Sequence, residues 1–312
     1  MRNAIFVRPF LPDDFVKLKQ SGSFVHQYGQ NIQRWINDEF IKASDCYVFD
    51  NGETLLGGVC FCGNTDEEIQ ILDFALAAAI MPNGNELLSQ AVYYAVNPKI
   101  GKVSYNLYND TEQYLDIKNL FLKAGFIVEQ EKMAYICEKA DFVTSANELH
   151  FKSVAETGED LFTDIVERVT VGTLDQLMAA DAVRLGSLQA AHEFVNALKK
   201  IDFNADWWRL GYDKDLLIGL IIPQRFSEKE GAINYIGVLP EYRGRGYGLA
   251  LLSEGTRILT ENGIEKIYAD IDIANKPLAF SLEKLGYAFK MEEVVLTYHV
   301  RLPSTLTQTD YP

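Results

Sequence analysis

Apolar positions recur along this chain with two periods, about two for strands and about 3.6 for helices, and the segments they mark come twice in the same order. In the first half, residues 5–9 read as a strand and residues 13–19 and 25–40 as helices. A hairpin follows, turning at Asp50-Asn51-Gly52-Glu53 between apolar strands at 47–49 and 55–61. Asn-Gly supplies the positive φ that a tight turn between strands demands. Then come a strand at 69–76, a helix at 86–96, a strand at 103–107 and a helix at 112–124, and a pair of strands within 126–137 closes the set. The helix at 112–124 places Ile117, Leu120, Phe121 and Ala124 on one face, with Gly125 as its C-terminal cap.

The second half repeats this order: a strand near 166–171, helices near 174–185 and 188–199, a hairpin around Tyr212-Asp213-Lys214-Asp215, then strand, helix, strand, helix, strand. Spacings agree between the copies. Gly286 lies 161 residues after Gly125, Asp213 lies 162 after Asn51, and Val169 lies 162 after Val7. The expected fold class is α/β, with two tandem domains, each a mixed, mostly antiparallel sheet flanked by helices. Residues 140–164 mix Ser, Thr, Asn, Gly and charge, which places domains at 1–140 and 166–302, a linker at 141–165 and a tail at 303–312.

Composition narrows the partners. The chain has 29 Lys and Arg against 44 Asp and Glu, so its net charge is 29 − 44 = −15. The split is 12 − 20 = −8 for residues 1–150 and 17 − 24 = −7 for the rest, so neither half is basic enough for a phosphate backbone and no nucleic-acid partner is expected. The longest apolar run, residues 74–81, is far short of the roughly 20 residues that span a bilayer, so no membrane partner is expected either. The N-terminus lacks the charged start, apolar core and cleavage site of a secretory signal, which predicts a cytoplasmic protein. Cys46, Cys60, Cys62 and Cys137 include no Cys-x-x-Cys pair, and His26, His150, His192 and His299 are scattered singly, so no metal site is expected. Cys60 and Cys62 share one face of a strand, as packed, reduced thiols do.

One segment carries chemistry. The strand at 233–239 runs into a loop with Arg243, Gly244, Arg245, Gly246, Tyr247 and Gly248, and then into a helix with Gly248, Leu251, Leu252, Gly255 and Leu259 on one face. Glycine lets successive backbone N–H groups turn toward one point, a helix N-terminus adds partial positive charge, and two arginines add full charges. Such a loop suits a phosphate or pyrophosphate. It is neither the Gly-x-Gly-x-x-Gly of dinucleotide folds nor a P-loop.

Arg243-x-x-Gly246-x-Gly248, after a strand ending Gly237-Val238-Leu239-Pro240, resembles the acyl-CoA signature of the GNAT (GCN5-related N-acetyltransferase) superfamily. The stretch from Asn275 to Tyr287 resembles the family's Asn, helix, Lys-x-Gly-aromatic segment, with Asn275 as N-cap, Pro277 in the first turn and Gly286 ending the helix. Phe121-Leu-Lys-Ala-Gly-Phe126 echoes its end in the first copy. The resemblance implies two tandem GNAT-like domains and acetyl-CoA as co-substrate. It implies that Gly237, Val238 and Leu239 hold the pantetheine and thioester, Arg243 to Gly248 the pyrophosphate, and Asn275 the pantetheine arm. Subtracting 162 from Arg243, Gly246 and Gly248 gives Met81, Gly84 and Glu86, where a carboxylate would repel a pyrophosphate, so the first copy is expected to be degenerate and inactive toward CoA.

The implied reaction is direct transfer of an acetyl group to an amine in a ternary complex. It needs a proton acceptor and a proton donor. The family's usual base position falls near Ala232 and its usual Tyr on Leu282. Glu230, two residues before Ala232, and Asp272, on the next strand, are the substitute catalytic candidates. Trp207, Trp208 and Tyr212 are read as core rather than acceptor pocket. The acidic surface favours a small cationic amine as acceptor. The alternatives are a non-catalytic acyl-CoA sensor and a mycothiol-synthase-like tandem acyltransferase.

Overall fold

The computed structural model describes residues 4–19, 23–63, 68–143 and 149–300. The first half runs β1 (Phe6–Pro9), α1 (Asp14–Lys19), α2 (Ser23–Asn37), β2 (Cys46–Asp50), β3 (Leu55–Gly63), β4 (Glu68–Leu76), α3 (Gly84–Ala95), β5 (Lys102–Tyr108), α4 (Tyr114–Lys123) and β6 (Ile127–Glu138). There follow β7 (His150–Ser153), α5 (Val154–Thr157), α6 (Glu159–Thr170), α7 (Gln176–Leu185), α8 (Ser187–Ile201), β8 (Arg209–Asp213) and β9 (Leu216–Arg225). The second half ends with β10 (Glu230–Val238), α9 (Tyr247–Glu261), β11 (Lys266–Asp272), α10 (Lys276–Lys284) and β12 (Ala288–His299). The tail expected at 303–312 lies outside the described residues.

Two compact units result, Met1–Glu129 with Val294–Pro312, and Gln130–Glu293. Unit 1 orders its strands β1-β2-β3-β4-β5-β12, and unit 2 orders them β6-β11-β10-β9-β8-β7. Each has one parallel pair, β4 with β5 and β10 with β11, among antiparallel neighbours such as β3 with β4 and β9 with β10. The sequence copies and the units therefore differ at their closing strands. Lys132–Glu138 of β6 pairs along its whole length with Lys266–Asp272 in unit 2. The second copy's last strand serves unit 1, where Val300 N donates to Gly101 O at 2.9 Å.

Some expected elements are corrected. Residues 166–170 form the end of α6 rather than a strand, with Val171 as its C-cap, because Phe162, Ile165, Val166 and Val169 stand at i, i+3, i+4 and i+7 and are all buried. The helical period prevails over the β-branched propensity of Val166 and Val169. The strand that opens unit 2's hairpin side is β7, paired with β8 as β1 is with β2. Val169 is thus no counterpart of Val7, and residues 141–165 hold β7, α5 and the start of α6 instead of a linker. Residues 126–137 give one strand, not two, since no Gly or Pro breaks Ile127–Glu138.

The 162-residue offset does hold where the sheets bend. Leu72 in β4 and Asn234 in β10 are each the extra residue of a β-bulge. Gly57 in β3 and Gly219 in β9 face those strands so closely that an added Cβ would stand 2.1 Å from Ala75 O and 2.0 Å from Gly237 O. No helix among the described residues is long and apolar enough to cross a membrane. All four cysteines are free, with Cys60 buried and Cys62 half-buried.

Two outcomes follow from this architecture. Gly219→Ala should lower unfolding free energy by about 1–3 kcal/mol, as overpacking against fixed backbone does, while Gly248→Ala should not, and urea denaturation measures both. A fragment of residues 141–312 lacks β6 and leaves β11 as a raw edge, so it should show no cooperative thermal unfolding.

Candidate active site

Pairing between β10 and β11 covers only Glu230–Ala232 with Lys266–Tyr268. Beyond that point β10 stays with β9 up to Val238, and β11 stays with β6 up to Asp272. The two strands therefore part, and the bulge at Asn234 bends β10 away. Asn234 Nδ2 donates to Gln224 Oε1, whose own amide nitrogen donates to Leu198 O at 2.8 Å, so the bulge is tied to the end of α8.

The glycine loop stands at the open end of β10. Gly244 and Gly246 take φ of 76° and 86°, and Gly246 is the N-cap of α9. A Cβ at Gly244, Gly246 or Gly248 would meet nothing within 4 Å, so the glycines here leave clear space in front of the helix. Leu249 N turns back to Gly246 O at 3.1 Å, and the N–H groups before it lie at the start of α9, where a helix has no acceptors of its own to offer. Gly237 has a different reason: its Cβ would strike Val169 of α6 at 2.6 Å. Leu239 is buried in the core, and its N–H donates to Ile218 O at 2.9 Å.

The charges of the loop are divided. Arg243 donates to Val238 O at 3.1 Å, Gly172 O at 2.9 Å and Val169 O at 2.7 Å, so its guanidinium caps the C-terminal end of α6 and braces the loop. Arg245 stays exposed, over the Tyr242 ring at 5.6 Å and donating to Glu241 O at 3.2 Å. Tyr247 donates its hydroxyl to Asp213 Oδ2 at 2.7 Å, and that bond raises the phenol's pKa. Asn275 caps α10 as its sequence suggests, accepting from Leu278 N at 3.3 Å.

The two acids selected from sequence occupy very different places. Glu230 lies at the closed end, where it accepts from the Tyr268 hydroxyl at 2.8 Å. It is eight residues from Val238, about 26 Å along a strand, so the structure does not bring it to the loop. Asp272 does lie where the strands are open, and it is buried. Its Oδ1 accepts from Ala274 N at 3.0 Å and its Oδ2 from Gln176 N at 3.3 Å, which ties the end of β11 to the start of α7.

Asp175 was not selectable from sequence as more than a helix cap. It does cap α7, accepting from Met178 N at 3.0 Å. Burial raises its carboxyl pKa, with the neighbouring Asp272 charge adding to the effect and Lys132 opposing it. Burial also pushes Tyr235 up to about 12, beside Thr170, Thr173, Asp175 and Arg243. Leu282 is fully buried, so the usual tyrosine position is core here, and Trp208, packed against Phe162 and Phe203, is core as expected.

Unit 1 has no such loop. Between β4 and α3 lies a short 3-10 turn, Ala78–Asn83, and Gly84 is packed so that a Cβ would sit 2.3 Å from both Leu76 and Leu120. A groove of about 810 Å³ opens in this unit between Tyr93, Tyr94, Phe126 and Tyr298, but it is aromatic and has neither glycine loop nor acid pair. Among the described residues no group of three His, Cys, Asp or Glu could hold a metal ion.

Comparison with known proteins agrees with this geometry. Residues 187–287 match the family model described as Acetyltransferase (GNAT) family. A mycothiol acetyltransferase of Corynebacterium aurimucosum is 32% identical over 65 residues, 21% of each chain. Another, of Corynebacterium glutamicum, is 27% identical over 96 residues, 29% of this chain and 33% of that one. The matched stretches thus span a third or less of those relatives. A GCN5-related N-acetyltransferase structure from Sphaerobacter thermophilus superposes with a TM-score of 0.57 at 14% identity, covering 98% of both chains. Residues 187–287, which hold the parted strands and the glycine loop heading α9, match the GNAT acetyltransferase family, and the chain as a whole has a tandem GNAT-like fold in which the second copy carries the loop.

Proposed function

We propose that the protein is an acetyl-CoA-dependent N-acetyltransferase whose unit 2 transfers acetyl directly to a small cationic amine. The observation that supports this most is the gap between β10 and β11 leading to the glycine loop. Two strand edges facing a gap present backbone donors and acceptors that an amide-bearing pantetheine arm can take up, as an added strand would. In this reading Gly237, Val238 and Leu239 line the arm and thioester. The amides of Gly244 to Gly248, with Arg245, hold the pyrophosphate, and Tyr247 and Asn275 fix the loop and the start of α10. Arg243 serves through its bracing of the loop.

The reacting ammonium first gives up one proton, its freed lone pair attacks the thioester carbonyl carbon, the C–S bond breaks, and the second proton shed by the nitrogen passes through solvent to the CoA thiolate. The first proton goes to Asp175. A carboxyl raised by burial is a better proton acceptor than an ordinary exposed one. Asp272 acts as the positioning acid that fixes the start of α7 and so Asp175. Asp175, Asp270 and Asp272 give this side of unit 2 a negative potential, which favours a cationic acceptor.

Two measurements test the reading. Acetyl-CoA at about 100 times its Kd should stabilise the protein by about 2.7 kcal/mol in a thermal shift. Gly248→Glu, which copies Glu86 of the first copy into open space, should abolish that shift with little change in ligand-free Tm. A protein that binds acetyl-CoA and releases no CoA with any amine would be a binding module instead. Asp175→Asn should cut turnover by roughly a hundredfold, the weight of a general base. Because burial raises this carboxyl, its favourable contribution to folding is present in acid and lost as pH rises through its folded pKa. The variant's Tm at neutral pH should therefore match or exceed wild type, as calorimetry can show.

A further inference from the structure

One sheet face of unit 2 holds a partly buried ion pair that is only half used. Lys132 on β6 stands opposite Asp272 on β11, and Asp270 follows two residues away on the same face. From β12, Glu293 reaches the same lysine, Oε2 to Nζ at 3.1 Å. Glu293 is only 4% exposed, and its second oxygen, Oε1, is buried with no hydrogen-bond partner. Asp270 is reachable by solvent, yet surrounding protein raises its carboxyl pKa, with Lys132 opposing the shift and Glu293 adding to it. A buried carboxylate oxygen without a donor is costly and uncommon in folded proteins.

The arrangement is that of an alkylammonium site already filled by the chain's own lysine. Glu293 holds the primary ammonium group of Lys132, Asp270 feels its charge, and Asp272 is its cross-strand neighbour. Asp272 lies at the open end of the β10–β11 gap, and Asp270 lies about 7 Å deeper along β11. We propose that this face is an acceptor subsite for a second ammonium group, so that the substrate is an α,ω-diamine rather than a monoamine. One amine meets the thioester, and the other displaces the Lys132 ammonium from Glu293, with the Asp270 charge close by. This rests on the acetyltransferase reading for its reacting end, but the subsite itself is a binding claim that can be read without turnover.

The test uses the full chain with 1,4-diaminobutane, and n-butylamine as the single-ammonium control. Lys132→Met leaves Glu293 without its cation and should lower Tm. Millimolar 1,4-diaminobutane should restore several degrees and n-butylamine much less, and adding Glu293→Gln should remove the rescue. In CoA-release assays on the wild type, kcat/KM for the diamine should exceed that for the monoamine at least tenfold. Glu293→Gln should bring the ratio toward one, whereas Glu228→Gln, which removes the same charge from an exposed turn, should leave it unchanged. Equal rescue by both amines, or none, would overturn the subsite. Equal turnover of both amines in all variants would do the same while the acetyltransferase reading stands. Diamine-specific rescue without CoA release from any amine would keep the subsite and refute the transferase.

Discussion

A sheet that opens in its middle leaves two rows of backbone N–H and C=O groups facing each other without strand partners, and everything at this site depends on that gap being held open. In unit 2 the pairing of β10 with β11 stops at Ala232 and Tyr268. Three local features prevent the strands from closing. The bulge at Asn234 bends β10, the absence of a Cβ at Gly219 lets β9 follow the bend, and Asp272 anchors the far end of β11 to α7. Backbone groups of this kind are open to any ligand that offers hydrogen-bond donors and acceptors at strand spacing.

Unit 1 carries the same bends without a glycine loop before its helix α3. It has the bulge at Leu72 and the close approach at Gly57, and β4 pairs with β5 only over Glu68–Ile71. What it lacks is open space before α3. Leu76 and Leu120 crowd Gly84, and Glu86 brings negative charge to the first turn of the helix. A carboxylate there stabilises the helix dipole and at the same time repels an anionic ligand.

Charge in unit 2 is arranged by the fold rather than by composition. The sequence offers two arginines in the loop, but Arg243 satisfies the carbonyls at the end of α6, so it stabilises the loop's shape. The acids do the opposite: scattered over more than a hundred residues of sequence, Asp175, Asp270, Asp272 and Glu293 become neighbours of Lys132. Removal from water is the first cause that raises the carboxyl pKa of Asp175 and Asp270, and the neighbouring carboxylates Asp272 and Glu293 add to it.

By itself the sequence determined the features that depend on neighbours along the chain. These include the hairpin turns at Gly52 and Lys214, the glycine loop and its helix, the cap of α10 by Asn275, the loss of the loop in the first copy, and a repeat near 162 residues. Turn chemistry, caps and side-chain periods act over a few residues, so they are readable there. Long-range features were decided only in three dimensions. Val166 and Val169 became helical because their buried partners lie one turn away, in Phe162 and Ile165, and β6 closes unit 2 because β11 offers it seven matching positions. Glu230 and Asp272 look alike in a strand pattern, yet one lies where the strands pair and the other where they part. Register, burial and the meeting of distant charges are set by the free energy of the packed whole, which no local window of sequence contains.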